Sequence, residues 1–302
     1  MSGPNFVCQI SDLDREVCPH CQPEPAPAPE PGLYPDYPED DYHGDLTALS
    51  CSGAKALLKA VPAQWRYDWL HPERLEVNEL LEFGSAVHSL ILGVGAPVVE
   101  IHAESWQKKA EQEARKKHRA AGEIPLLTKK FRQAHAMADA VRLHPVIGPR
   151  LEAAQREISG WFLDPQTRIR RRFRVDALYV SPRSGAALAF DVKTAETADP
   201  VDFAHSIRKF GYHQQDDWYV EGLTELDHDV ADFLFVVVGR KPPHLVSINR
   251  IPADFRAVGR ERNRRAIEIF ARCSAEDHWP DYGTGIHEIP QPAWAYREDY
   301  AA

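Results

Sequence analysis

The sequence predicts an α/β fold with a mixed central sheet flanked by helices. Helical periodicity dominates the first half of the chain, short β-like runs follow in the middle, and a further helix comes near the end. The 302 residues include 43% hydrophobic ones, which is enough to build a complete core. No run of about 18 apolar residues is present, so we expect no membrane association.

The first half of the chain predicts helices. Ser50 and Ser52 are candidate N-caps for a helix that Pro62 interrupts. Residues 78–92 are strongly apolar on one face and form the most clearly predicted helix. Residues 105–132 carry nine bases against three acids, which indicates a solvated helix with an internal loop.

Short β-like runs occupy the middle of the chain. Residues 169–180 and 186–193 are separated by the turn-forming sequence Ser-Pro-Arg-Ser-Gly, so they predict a β-hairpin. The remaining predicted elements are a strand over 156–163, a helix over 200–225, strands over 231–240 and 244–251, a helix over 253–275 and irregular structure over 276–302.

The acidic charge of the chain is concentrated at its N-terminus. The formal net charge is −9, and residues 1–50 alone hold ten acids and one base, so the remainder is neutral. An acidic chain of this kind can still carry a DNA-binding body. Residues 22–45 are rich in proline and acids and have few aliphatic side chains. We therefore expect a disordered acidic head over residues 1–45 and one folded domain over residues 46–302.

The cysteines argue against a disulfide framework. There are five, scattered along the chain, and the N-terminus lacks the basic and apolar regions of a secretory signal. We therefore expect a protein of the cytoplasm. Cys18-Pro19-His20-Cys21, with Cys8 upstream, suggests a zinc site, but a second pair of ligands is missing. Incidental cysteines are the favoured interpretation.

The motif Asp191-Val192-Lys193 ends an apolar predicted strand. Asp191 and Lys193 project to the same face, because successive side chains of a strand alternate. The hairpin can place Asp176 beside them on the neighbouring strand. Two carboxylates and one ammonium would attract a divalent cation such as Mg²⁺, which leaves the lysine to orient or deprotonate a water. A surface Asp–Lys pair on an edge strand is the competing interpretation.

Further candidate residues surround this motif, and the set suits phosphodiester hydrolysis. Glu157, on the strand before Asp176, can supply another carboxylate. His88 lies on an apolar helix and is either a hydrogen-bonded core residue or a metal ligand. Gln215 and Tyr219 share a helix face at positions i and i+4, so they either bracket the site or serve ordinary packing.

Three basic stretches suit contacts with a phosphate backbone that read no base sequence. One includes Arg172 and Arg174 on a predicted strand, another lies in the helix over 253–275, and the third is 105–132. A solvated charged face is the alternative interpretation of each stretch.

Several segments resemble, in order, the RecE (exonuclease VIII) type of PD-(D/E)XK nuclease from about residue 46 to 225. They include LSCSGAKALLKAVPAQWRYDWL, FGSAVHSLILG, RVDALYV, FDVKTAETADPVDF and GYHQQDDWYVEG. The first segments are also similar to RecB-type nuclease domains, whereas the Gly-Tyr-His-x-Gln stretch is closer to the RecE type. The resemblance implies a PD-(D/E)XK, restriction-endonuclease-like core.

The resemblance also implies roles for individual residues. Gln215 and Tyr219 match a DNA-proximal Gln-x-x-x-Tyr pattern. The implied catalytic set is Lys193, the catalytic lysine, with Asp191, Asp176 and Glu157. The implied metal ligands or their neighbours are His88, Glu157, Asp176, Asp191 and the backbone carbonyl of Val192.

Enzymes of this type degrade one strand of linear double-stranded DNA from the 5′ end, with Mg²⁺, for which Mn²⁺ can substitute. They leave 3′ single strands for a RecT-like annealing protein in phage recombination, and they often form homo-oligomeric rings. This chain departs from the pattern in its acidic head and in the pair Asp216-Asp217 beside Gln215, which is unfavourable for DNA contact.

Two alternative functions belong to other classes. One is a RecB-type nuclease that acts on single-stranded or structured DNA ends. The other is a catalytically inactive DNA-binding scaffold for recombination. The complete set of three acids and one lysine argues against the scaffold, because a degenerate site is expected to lose at least one of them.

Overall fold

The computed structural model describes residues 28–71 and 78–292. Its strands are β1 (Gly32–Tyr34), β2 (Leu49–Ser50), β3 (Val98–Ile101), β4 (Ile124–Leu127), β5 (Gln155–Leu163), β6 (Arg170–Val180), β7 (Ala187–Ala195), β8 (Val230–Gly239) and β9 (Val246–Arg250). Seven of them form one mixed sheet in the order β1-β5-β6-β7-β8-β9, with β2 beside β6, and β3 pairs with β4 separately.

Helices cover both faces of this sheet. The described residues form α1 (Glu39–Gly44), α2 (Cys51–Leu57), α3 (Pro62–Leu70), α4 (Glu79–Leu92), α5 (Lys109–Ala120), α6 (Thr128–Arg142), α7 (Gly148–Ala153), α8 (Pro200–Phe210), α9 (Tyr212–Glu225) and α10 (Ala253–Glu276). One apolar core joins the sheet to α2, α3, α8, α9 and α10, and a second joins it to α4, α6 and α7. The predicted α/β fold with a mixed sheet flanked by helices is confirmed.

Local signals in the sequence set the ends of several helices. Ser50 caps α2 as predicted, because its hydroxyl accepts the backbone N–H of Gly53 at 3.1 Å. Asn78 caps α4 in the same way by accepting the N–H of Leu80 at 2.8 Å. Gly93 follows α4 as its C-cap, and its φ of 70° suits a glycine.

The predicted hairpin is formed by β6 and β7, and these two strands separate partway along their length. Their antiparallel pairing ends where Ala177 lies opposite Phe190. Beyond that point β2 pairs with the first half of β6, while β7 continues in parallel with β8. The two strands therefore form a fork inside the sheet. Because β7 is an interior strand, the interpretation of Asp191 and Lys193 as an edge-strand surface pair is wrong.

Two predicted helical stretches are divided in the structure. The helix expected over 200–225 breaks at Gly211, which has a φ of 67° and packs so closely that a Cβ would lie 2.8 Å from Cδ of Lys55. The stretch 105–132 contains β4 between α5 and α6. Its Ile124 and Leu126 are buried, and burial beside β3 stabilises a short strand where a loop was expected.

The expectation of a disordered head is wrong for residues 28–45. β1 pairs with β5, and Tyr42 of α1 is buried with its ring centroid 5.6 Å from that of Trp161. The indole N–H of Trp161 also donates to Asp45 at 2.8 Å. Aromatic side chains supply the buried apolar area that the low aliphatic content does not. The predictions for residues 1–27, including the cysteine motif, lie outside the described residues.

The described residues after α10 are irregular, as predicted, up to residue 292. They are fixed at their start by Trp279, which stacks on Trp65 with ring centroids 5.3 Å apart. Within residues 28–71 and 78–292, no helix combines the length and apolar character needed to cross a bilayer.

Candidate active site

The fork between β6 and β7 brings two carboxylates together at the centre of the sheet. Asp176 immediately precedes Ala177 and Asp191 immediately follows Phe190, so they flank the point where strand pairing ends. The backbone N–H of Val192 donates to Oδ2 of Asp176 at 2.7 Å. A side chain thus replaces strand pairing at this position, and the carboxylate is fixed beside the fork.

His88 brings an imidazole from α4 to the same place. Its Nε2 lies 3.0 Å from Oδ2 of Asp176, and its Nδ1 lies 3.5 Å from Oε1 of Glu157. One ligand atom from each of these three residues lies within 4.8 Å of the others. The side chain of His88 is 29% exposed, so it is not a fully buried core residue. An imidazole with two carboxylates at this spacing fits a divalent cation.

Glu157 reaches this cluster from a distorted position in β5. The pairing on either side places it opposite Asp176, yet its φ is 51°, in the left-handed region that residues other than glycine rarely adopt. The ladder pairs of Arg156 and Ile158 hold the backbone in place around it. Strained backbone that the surrounding sheet enforces is typical of functional positions.

Asp191 is held by two side chains outside the three-residue cluster. Nζ of Lys193 lies 2.6 Å from its Oδ2, and Nε2 of Gln215 donates to its Oδ1. Asp191 and Lys193 do share one face of β7, as the strand period predicts, and the side chain of Val192 is buried on the other side. Metal ligation by Asp191 and by the carbonyl of Val192 stays a prediction.

A cleft of about 1530 Å³ opens onto these residues. His88, Glu157, Asp176 and Lys193 all line it. Sequence reasoning did not single out Tyr212, whose ring also lines the cleft beside Lys193. The position of Tyr212 directly after the helix-breaking Gly211 is the sequence signal that could have indicated it.

Comparison with known proteins places the chain in a family. The family described as a PDDEXK-like domain of unknown function (DUF3799) matches residues 50–290. The chain belongs to this family. A crystal structure from Eubacterium rectale, described as a "Putative exonuclease", is similar to the DUF3799 chain with a TM-score of 0.60 and 13% sequence identity, covering 86% of this chain and 97% of that chain. At this identity the likeness shows a shared fold. A search among curated proteins found no significant match.

The side chains of the cluster suit the chemistry of the family to which the chain belongs. PD-(D/E)XK nucleases generally use divalent metals, and the domain holds two carboxylates and an imidazole that fit such an ion. The family and the shared fold support a nuclease.

The electrostatics of the DUF3799 site favour a bound cation. Burial raises the pKa of Glu157 to about 7, and the charge of Asp176 adds to the rise. Burial likewise raises the pKa of Asp191 to about 6, although Lys193 opposes the rise. Burial disfavours a charged imidazole in His88, but the neighbouring carboxylates outweigh it and raise the pKa to about 9. The carboxylates thus repel one another and attract positive charge.

Lys193 carries a positive charge within this acidic site. Burial alone would lower its pKa, but Asp191 and Asp176 outweigh burial and hold the pKa of the ammonium above its usual value. A charged lysine donates hydrogen bonds and stabilises negative charge. Of the two predicted roles, orienting a water therefore fits the structure better than deprotonating it.

Helix α9 presents Gln215 and Tyr219 to the site, as their spacing predicts. Gln215 contacts Asp191, while Tyr219 packs on Phe173 and Phe233 with ring centroids 5.7 and 5.6 Å away. Tyr219 also lines the cleft. Proximity to the site and ordinary packing therefore both apply, and contact with DNA stays a prediction.

Arg172 and Arg174 donate to backbone carbonyls of residues 28–45. Arg172 is 3% exposed and donates to the carbonyl of Tyr42, and Arg174 donates to the carbonyl of Tyr37 at 2.6 Å. Arg174 also donates to the hydroxyl of Ser159 at 2.9 Å. These contacts fasten residues 28–45 to the sheet. Several of their donors are thus occupied within the protein, although both arginines line the cleft, and DNA binding by them stays a prediction.

The arginines of α10 also pair with buried acids. Arg256 lies 2.8 Å from Asp216, and Arg260 lies 2.9 Å from Asp217. Both aspartates are buried, so the acidic pair beside Gln215 faces α10 and does not oppose DNA contact. The basic stretch of α10 is therefore partly neutralised and is a weaker candidate for phosphate contacts than the sequence suggests.

The basic stretch over 105–132 is divided between internal pairing and solvent. Arg115 and Arg119 of α5 bind Glu82 of α4 at 2.9 and 2.7 Å. No residue of α5 is buried, as the prediction of a solvated helix requires, and Lys109 is 90% exposed. The exposed lysines of this stretch remain candidates for contacts with phosphate, and such contacts stay a prediction.

Proposed function

We propose that this protein is a metal-dependent exodeoxyribonuclease that hydrolyses one strand of linear double-stranded DNA from 5′ to 3′ and leaves 3′ single strands. The observation that carries the proposal is that His88, Glu157, Asp176 and Lys193 line one open cleft, with Lys193 paired to the buried Asp191. The resemblance to RecE-type nucleases and the description of the Eubacterium rectale protein support exonuclease action.

In the proposed reaction, the cluster would hold Mg²⁺, with Mn²⁺ as a substitute, through carboxylate oxygens and one imidazole nitrogen. The bound cation would polarise the scissile phosphate and make a water more acidic. Lys193 would donate to a phosphate oxygen on which negative charge develops. Asp191 would keep that ammonium in place, and Gln215 would keep Asp191 in place through its side-chain amide.

The proposal is tested with a linear duplex labelled at the 5′ end of one strand or at the 3′ end, incubated with Mg²⁺. We expect early release of the 5′ label, persistence of the 3′ label and a growing 3′ single strand. Lys193→Ala is expected to abolish digestion, and Lys59→Ala, which removes an exposed lysine outside the cleft and outside the basic stretches, is expected to retain it. No loss of nucleotides from either end, or equal digestion by Lys193→Ala, would contradict the proposal.

Two further substrates separate the proposed activity from its alternatives. A closed circular duplex has no ends, so cutting it would indicate an endonuclease. Faster digestion of single strands than of a duplex would favour the RecB-type alternative. A chain that binds DNA and Mn²⁺ without cleaving any substrate would favour the inactive scaffold.

We also propose that the enzyme works as a homo-oligomer and passes its product to a single-strand annealing protein of RecT type. The resemblance supports both parts of this proposal. Sedimentation equilibrium of the full chain tests the first part, and a monomer at micromolar concentration would contradict it. The second part is tested by measuring whether a RecT-type protein anneals the 3′ single strands that this enzyme makes. No annealing of these strands would contradict it.

A further inference from the structure

The aromatic ring of Tyr212 lies beside the charged end of Lys193. Nζ of Lys193 is 4.9 Å from the centroid of the tyrosine ring, which is a cation–π distance. The tyrosine is the first residue of α9 and follows Gly211, whose φ of 67° turns the chain sharply from α8. The break between the two helices therefore places an aromatic face at the cleft, beneath the ammonium.

Other aromatic side chains hold the ring of Tyr212 in this position. Its ring centroid lies 5.6 Å from that of Phe203 and 5.4 Å from that of Phe235, both stacked, and 5.6 Å from that of Phe210. Phe203 and Phe235 belong to the apolar core between the sheet and α8 and α9. The ring is therefore a fixed surface, and rotation of its side chain would disrupt several packing contacts.

Lys193 benefits from a fixed surface of this kind. Its side chain is a flexible four-carbon stem that ends in an ammonium with three N–H donors. Asp191 accepts from this ammonium at 2.6 Å. A second carboxylate at the position of the ring would occupy another donor of the ammonium. An aromatic face attracts the positive charge without accepting a conventional hydrogen bond, so donors remain free to face the cleft.

We propose that Tyr212 is a positioning residue that orients the ammonium of Lys193 toward the reacting phosphate through its ring face, not through its hydroxyl. This proposal rests on the proposed nuclease function for its kinetic consequence. The contact between ring and ammonium can be measured without any activity.

The first test observes the contact directly in the metal-free and DNA-free protein. Lysines are reductively methylated with ¹³C-formaldehyde, and the Lys193 signal is identified by its loss in Lys193→Arg. We expect this signal to be shifted upfield by the ring current of Tyr212, to stay shifted in Tyr212→Phe and to move to the ordinary lysine position in Tyr212→Leu. An unshifted signal in the unsubstituted protein, or one unchanged in Tyr212→Leu, would overturn the proposal.

The second test measures kcat and KM on a linear duplex. Tyr212→Phe is expected to retain activity, and Tyr212→Leu is expected to lower kcat about tenfold with little change in KM, since one oriented cation–π contact is lost. A raised KM with unchanged kcat would assign the ring to DNA stacking instead, and equal losses in both variants would assign the role to the hydroxyl. Either outcome overturns the proposal.

Two controls keep these outcomes interpretable. Tyr212→Met fills a similar apolar space without a ring, and it replaces Tyr212→Leu if the leucine variant does not fold. Tyr67→Leu removes an exposed tyrosine outside the cleft and is expected to change neither measurement. If the unsubstituted enzyme digests no DNA, the proposed function fails, while the spectroscopic test still decides whether Tyr212 positions Lys193.

Discussion

His88 and Asp176 form an ion pair in which Nε2 lies 3.0 Å from Oδ2, and this contact joins α4 to the fork of the central sheet. The carboxylates around the imidazole raise its pKa to about 9 despite burial, so at neutral pH the ring holds a proton. A metal ion that binds nitrogen must displace that proton. Proton and metal therefore compete for one ligand atom at the centre of the site.

This competition predicts that metal affinity rises with pH. Below pH 7 both His88 and Glu157, whose pKa is raised to about 7, bind protons, and above pH 9 both are free to bind a cation. We expect the apparent affinity for Mn²⁺ to increase steadily from pH 6 to pH 9. Calorimetry in buffers with different ionisation enthalpies measures both the affinity and the protons released. An affinity that does not vary over this range would show that the two residues do not bind the metal.

Glu157→Gln is expected to stabilise the metal-free fold while weakening metal binding. Burial raises the pKa of Glu157 to about 7, above its unfolded value of about 4.3, so the native state loses stability as the pH rises between these values. The variant lacks this loss, and its advantage is expected to be near zero at pH 4 and on the order of 1–3 kcal/mol of unfolding free energy above pH 7. Thermal unfolding with a chelator measures it, with the exposed Glu113→Gln as the matched control. A variant less stable than the parent at pH 8 would contradict the repulsion between Glu157 and the neighbouring carboxylates.

Asp164→Asn is expected to be strongly destabilising. Asp164 is buried and lies 3.1 Å from Arg171, and it also accepts from Arg264. Burial would raise the pKa of Asp164, but the bonds from Arg264 and Thr167 outweigh it and hold that pKa well below its usual range, so the stabilisation is present above about pH 4 and is lost as the pH falls further. Removing the charge leaves two arginines underpaired, at about 3–5 kcal/mol of unfolding free energy at pH 7. Urea unfolding at pH 7 and pH 3 checks this, and a difference that grows on acidification would refute it.

Tyr42→Ala is expected to destabilise the whole domain, because the segment over residues 28–45 is part of the fold. Tyr42 packs against Trp161, and its carbonyl accepts from Arg172. Loss of a buried aromatic ring costs about 3–5 kcal/mol. We expect a lower unfolding midpoint and a red-shifted tryptophan emission as Trp161 gains solvent. An unchanged midpoint would mean that the head is dispensable, as its proline and acid content first suggests.

The parts of this protein that follow from local pattern could be predicted, and the parts that depend on distant partners could not. The period of a strand places Asp191 and Lys193 on one face, and turn residues between β6 and β7 indicate the hairpin. Nothing near Glu157 signals its left-handed backbone, which the pairing across β5 and β6 imposes. The order of residues 28–45 likewise depends on Trp161, more than a hundred residues away in the chain.

Charge runs show the same limit, since a run of arginines does not reveal which acids it meets. Arg264 pairs with an aspartate 100 positions earlier, and Arg172 donates to a carbonyl 130 positions earlier. Both arginines belong to stretches that suit phosphate contacts by sequence alone. Only the tertiary structure distinguishes a cation that has an internal partner from one that faces solvent.

Arg256→Gln therefore separates an internal role from DNA binding. Arg256 lies 2.8 Å from the buried carboxylate of Asp216, whose own pKa burial raises to about 7. We expect the variant to have a lower unfolding midpoint but an unchanged DNA affinity and an unchanged dependence of that affinity on salt concentration. A residue that contacts a phosphate would instead lower the salt slope by about one when it is removed. Lys109→Gln, which removes an exposed cation of α5, gives the comparison, because its loss is expected to leave the unfolding midpoint unchanged. A reduced salt slope in Arg256→Gln would indicate that α10 contacts DNA, as its sequence suggests.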